Sequence, residues 1–184
     1  DPEKRAGWKM RGEGGAMKDM GSHILDLCTY LIGYPARGIC KTRRLYDQRP
    51  TADGATRDLG DDQAIMMLEM PNGALGTLET SKIATGTVDE LYLEIRGTHG
   101  ALRWSLMEPH YLEYYDRTAQ NTPLGGLRGW TRIETVGHFD CPNGDPILVN
   151  SAVGFERGHI QSYYDFLQCI AENRPSECDA AAAA

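Results

Sequence analysis

No apolar run in this chain approaches the roughly 20 residues a helix needs to cross a bilayer, which argues against a membrane protein. The chain also lacks a charged-then-apolar leader, and it opens Asp1-Pro2-Glu3 without an initiator methionine. It therefore reads as a piece of something longer, not as a secreted precursor. A basic surplus is missing too: 19 lysines and arginines face 26 acids, for a net charge of −7. That balance argues against a nucleic-acid partner, since phosphate binding needs a clustered basic surface. The densest basic cluster, Lys41, Arg43 and Arg44, reads as a solvated strand face. No Cys-x-x-Cys pair occurs among Cys28, Cys40, Cys141, Cys169 and Cys178. An odd count without such a pair points to reduced thiols in a cytoplasm, and no metal site is indicated.

What is present suits a globular fold. The 184 residues are 41% hydrophobic and 24% charged, enough to bury a core. Met17, Met20, Ile24, Leu27 and Leu31 recur at three- and four-residue steps, which predicts a helix over 14–32. Gly33 and Pro35 stop it. Strands are predicted over 39–46, 63–70, 74–83, 88–96, 101–106 and 111–115, in a meander. Asn72-Gly73 is suited to a tight turn with both residues at positive φ. Along 88–96, Leu91, Leu93 and Ile95 point one way while Tyr92, Glu94 and Arg96 point the other. Tyr92, Trp104, Tyr111, Tyr114 and Tyr115 form an aromatic strip best read as an interface. A late helix over 158–172 turns Ile160, Tyr163, Tyr164, Leu167 and Ile170 inward, and Asn173 and Pro175 end it. The closing run 180–184 is alanine alone and stands apart from one domain over 1–179.

The chemistry concentrates in the first helix. At α-helical spacing Asp19 and His23 lie one turn apart on one side, and Asp26 follows a further turn along. Gly21 in mid-helix costs about 1 kcal/mol against alanine, a sacrifice best tolerated where something approaches the backbone. Oxidising a secondary alcohol requires a base for the hydroxyl proton as hydride leaves the same carbon. A histidine, ordinarily titrating at about 6.5, can take that proton, and a carboxylate beside it can orient the ring or hold neighbouring hydroxyls. The same pair also suits a plain helix-surface interaction, and His23 a structural role. Shared metal ligation is open to an i, i+4 pair, but no third ligand is identifiable, so no metal is assigned. His99, His110, His138 and His159 sit in turns, in loops or at the late helix's start, and none is assigned chemistry.

These residues also carry a resemblance. Gly14-Gly15, Asp19, Gly21, His23 and Asp26-Leu27 together resemble the substrate-domain helix of the Gfo/Idh/MocA family. Pro71 to Leu78, Glu94 to Leu102, and Tyr164 to Leu167 followed by Asn173-Arg174-Pro175 resemble its later elements in order. The resemblance implies an α/β (α+β) domain with a large, mostly antiparallel sheet, helices on one face, and the other face open for pairing into a homodimer or homotetramer. It implies His23 as the proton acceptor or donor, Asp19 as its partner and substrate ligand, and Asp26 as a nearby support. Trp8, Lys9 and Arg11 precede the helix where the family places substrate contacts.

The family's Rossmann domain is absent from this chain, which has no Gly-x-Gly-x-x-Gly fingerprint. NAD or NADP would be held mainly by that missing N-terminal domain, with Gly21 the one position here open to close approach, and the chain alone should not turn over substrate. The implied function is NAD(P)-dependent oxidation or reduction of a sugar, inositol or related polyhydroxy compound. Two other readings stand beside it: NAD-dependent glycoside cleavage or epimerisation, and a non-catalytic, sheet-mediated oligomerisation module.

Overall fold

A computed structural model describes residues 14–50, 56–58, 60–123, 126–136, 142 and 154–176. The chain divides into two compact units, Asp1–Thr87 and Val88–Ala184. Among the described residues all strand pairing is antiparallel and two α-helices occur, so the class is α+β, as expected.

In the first unit a π-helical turn, Met17–Gly21, runs straight into helix α1, Ser22–Ile32. The Ser22 N–H donates to the Met17 carbonyl, one residue wider than an α-helical bond, so the uniform α-helix that periodicity predicts is broken at its first turn. The end falls as predicted: Gly33 takes φ 89° and ψ 175°, a conformation open to glycine, and donates to the Thr29 carbonyl at 3.0 Å.

Three strands form the sheet of this unit in the order β1 (Arg37–Arg43), β4 (Gln63–Glu69), β5 (Leu75–Ser81). Two short strands, β2 (Gln48–Pro50) and β3 (Thr56–Asp58), pair with each other inside a stretch whose composition reads as loop. The β4–β5 hairpin turns where Asn72-Gly73 predicts, by a different route. Gly73 alone has positive φ (84°), and its N–H donates to the Met70 carbonyl at 2.8 Å. Pro71 explains the change: its ring holds φ near that of the second position of an ordinary turn, leaving Gly73 to take the left-handed step. The Asn72 side chain accepts from the Ala74 N–H at 3.0 Å.

Alternation separates the faces of this sheet. Ala64, Met66, Leu78 and Thr80 are buried on one side, where the π-helical turn packs on β4 and β5. Ile39, Ile65, Met67 and Leu75 are exposed on the other. The core lies under the backbone of Ala16 and Gly21; α1 itself buries no residue, and Leu31 of its apolar stripe is exposed.

The second unit holds a four-stranded meander, β6 (Tyr92–Arg96), β7 (Gly100–Ser105), β8 (Tyr111–Asp116) and β9 (Trp130–Glu134), and helix α2 (Phe155–Glu172). The last strand was not legible behind its glycine-rich approach. The register divides the aromatic strip: Tyr92, Tyr111, Tyr115 and Trp130 share a face, while Trp104 and Tyr114 occupy the opposite one. Period-two geometry forbids a single strip from residues of both parities. On the first face the guanidinium of Arg103 lies 3.9 Å from the centre of the Trp130 ring, and that of Arg132 lies 3.8 Å from the Tyr111 ring.

Helix α2 ends at Asn173 in the left-handed conformation (φ 51°, ψ 42°), as its sequence suggests. Its apolar stripe does not turn inward as periodicity predicts. Ile160, Tyr163, Leu167 and Ile170 are exposed, whereas Cys169 and Arg157 are buried. Tyr164 of the same stripe is half-buried. No helix among the described residues is long and apolar enough to cross a membrane.

Candidate active site

The site is built where the chain enters the π-helical turn. Gly15, at φ 110°, lets the backbone swing into the helix beside Asp61. Asp61 caps the helix start twice: its carbonyl accepts from the Ala16 N–H at 2.8 Å, and its Oδ2 from the Met17 N–H at 2.8 Å. The neighbouring Asp62 is fully buried, and its Oδ2 accepts from the N–H groups of Leu45 (2.8 Å) and Tyr46 (3.3 Å). Its carbonyl accepts from the Lys82 N–H at 2.8 Å. Two adjacent carboxylates therefore anchor the helix start and the strand ends around it.

Asp19 lies on the widened turn and faces the end of β5. Its Oδ2 is 3.0 Å from Lys82 Nζ, and the two side chains are only 17% and 12% exposed. This ion pair, from a lysine just past the end of β5, is a partner for Asp19 that helix spacing does not reveal. Lys82 also borders a hollow of about 230 Å³ with Leu45, Tyr46, Ile83, Ala84 and Thr85. His23 is exposed on the first turn of α1, and Asp26 is exposed beyond it. An accessible imidazole thus follows, four residues along the chain, a carboxylate held by Lys82.

Gly21 is buried, and what approaches it is protein: a β-carbon there would fall 2.8 Å from Met17 Sδ and 3.3 Å from Thr80 Cγ2. Its space is filled by packing of the turn on β5. Trp8, Lys9 and Arg11 lie outside the described residues.

Lys82, Asp61 and Asp62 were not singled out from sequence, although strand parity carries the signal. Leu78 and Thr80 point into the core, so Lys82 continues an inward row; Asp62 continues the inward row of Ala64 and Met66. A charged residue on an inward row must find a partner.

Among known proteins, residues 1–103 match the C-terminal domain of the Gfo/Idh/MocA oxidoreductases. The chain belongs to this family. It is 25% identical over 189 residues to levoglucosan dehydrogenase of Pseudarthrobacter phenanthrenivorans, a match spanning 94% of the chain and 47% of that enzyme. It is 29% identical over 97 residues to D-apiose dehydrogenase of Rhizobium rhizogenes, covering 51% of the chain and 26% of the relative. The fold matches a levoglucosan dehydrogenase solved with NADH and levoglucosan at TM-score 0.88 and 23% identity, over 100% of this chain and 49% of that one. An oxidoreductase domain protein from Kribbella flavida matches at TM-score 0.86 and 25% identity, over 100% and 48%. The chain spans about half the length of the levoglucosan dehydrogenase and a quarter of the D-apiose dehydrogenase.

Proposed function

We propose that this chain is the substrate-binding part of a nicotinamide-dependent dehydrogenase acting on a sugar or related polyhydroxy compound. The observation that carries the reading is the exposed His23, four residues along the helix from an Asp19 carboxylate paired with Lys82. Family membership and two sugar dehydrogenases among the relatives support it.

His23 takes the hydroxyl proton in oxidation and returns it in reduction, a step that requires a ring accessible to ligand. Asp19 holds a neighbouring hydroxyl or orients the imidazole. Asp26 supports the same surface, and Trp8, Lys9 and Arg11 supply further contacts to the substrate. When bound, the nicotinamide of NAD or NADP supplies the hydride acceptor. The exposure of His23 fits a cofactor delivered by another domain of the whole protein, and by this reading the present chain alone is inactive.

The whole protein assembles as a homodimer or homotetramer through the open face of the first sheet, where Ile39, Ile65, Met67 and Leu75 are exposed. A cytoplasmic setting agrees with the free thiols of Cys28, Cys40 and Cys169.

The test is kinetic. In the full-length protein, with a panel of anhydrosugars, aldoses and inositols, His23→Ala should lower kcat by roughly a hundredfold or more. Near wild-type turnover by that variant on the preferred substrate would end the reading. Product analysis separates the glycosidase or epimerase alternative, since only a dehydrogenase shows net reduction of the nicotinamide.

A further inference from the structure

We infer that Lys82 is a positioning residue of this site, acting on the substrate through Asp19. The inference rests on the proposed dehydrogenase reading. Three independent features lead to it.

The first is the turn. Asp19 stands on a π-helical turn of five residues, where the spacing departs from that of the regular α-helix that follows. Helix geometry alone therefore does not fix its direction.

The second is the tie. The Lys82 ammonium reaches Asp19 Oδ2 at 3.0 Å with both side chains mostly withdrawn from solvent, and such a pair is screened far less than a surface one. The Lys82 backbone is itself held, its N–H donating to the Asp62 carbonyl at 2.8 Å. Asp62 in turn is locked by the amides of Leu45 and Tyr46. The direction of Asp19 is thereby referred to the sheet through a continuous set of bonds.

The third is location. Among the described residues that border the hollow of about 230 Å³, Lys82 is the one with a charged side chain. With its Oδ2 held by Lys82, Asp19 meets a polyol hydroxyl in a set direction. The carboxylate presents a defined edge, and hydroxyl recognition depends on such directed acceptors.

A purely structural salt bridge would affect stability and leave turnover intact; a positioning residue affects kcat in a way that depends on Asp19. The experiment is a double-mutant cycle in the full-length enzyme, with kcat and KM measured well below each variant's melting temperature. K82Q should lower kcat by roughly tenfold to a hundredfold, K82R should recover most of it, and K82Q should add nothing to D19N. Independent, multiplicative losses in K82Q and D19N, or wild-type kcat in K82Q, overturn the inference. H23A is run alongside. A dead H23A with a fully active K82Q rejects the role of Lys82 alone, whereas an active H23A rejects the dehydrogenase reading.

A readout without turnover guards against an enzyme whose substrate is missed. Reductive methylation followed by mass spectrometry should find Lys82 slow to react in the wild type and severalfold faster in D19N. Equal rates in the two proteins overturn the tie itself.

Discussion

Gly21 and Thr80 lie against each other, so that a β-carbon on the glycine would stand 3.3 Å from Thr80 Cγ2. The contact seats the π-helical turn on β5 and sets the level from which Asp19 reaches Lys82. Gly21→Val should therefore destabilise the protein by about 1–3 kcal/mol, the usual cost of overpacking a filled site. Thr80 is buried and has little room to yield, while Met17 Sδ is the end of a flexible side chain. Urea unfolding checks this, and an unchanged midpoint would show that the turn can lift off the sheet at no cost.

Asp61 makes a second prediction. Its Oδ2 is 2.8 Å from the half-buried N–H of Met17, at a helix start whose residue before the turn, Ala16, makes no side-chain cap. Asp61→Ala should cost about 1–3 kcal/mol, as expected for a lost cap with a charged acceptor, and Asp61→Asn should keep most of it. Equal losses in the two variants, read by thermal or urea unfolding, would assign the effect to something other than the cap.

Much of this was legible in the sequence because the signals were local. The step from Met17 to Leu31 marked the helix, and Pro71-Asn72-Gly73 marked the hairpin. The π-helical turn was not legible, since widening a helix by one residue changes hydrogen bonds and leaves residue types untouched. Pairing Asp19 with His23 is the natural reading at uniform spacing, and the cation that also reaches Asp19 lies just past a strand far along the chain. Parity along β5 could have flagged Lys82. The stripe of α2 misled for another reason: periodicity identifies an apolar face but does not supply what covers it.

Glu94 gives a prediction on pH. Desolvation pushes its carboxyl upward, but hydrogen bonds from Arg103, Arg96 and Tyr92 outweigh that and hold it below its ordinary value of 4.5. The Arg96 and Arg103 contacts are 2.7 and 3.3 Å. A carboxylate depressed in the folded state adds stability above its unfolded pKa, and that increment is lost as pH falls through the folded value. Wild type should therefore lose stability from about pH 4.5 downward, and Glu94→Gln should show a flatter decline over the same range. Urea midpoints from neutral pH to below 4 decide it; parallel curves would mean that Glu94 is no better stabilised in the folded chain than in the unfolded one.

The open face of the first sheet supplies the last prediction. Ile39, Ile65, Met67 and Leu75 are 67%, 48%, 56% and 75% exposed, and β1–β4–β5 pairing sets them on one side. Polar pairs lie among them: Arg37 with Glu69 at 2.9 Å, and Gln63 with Glu79 at 2.8 Å. An apolar centre with polar surroundings is the usual anatomy of a protein interface. Met67 sits in the central strand of this face, so Met67→Glu sets a charge where two copies would meet. Because the side chain already faces solvent, the substitution should change the unfolding free energy of the isolated subunit by no more than about 0.5 kcal/mol. Sedimentation velocity on the full-length protein should show an oligomer in the wild type and a monomer in the variant. A wild-type protein that stays monomeric at every concentration would leave this face without the role assigned to it.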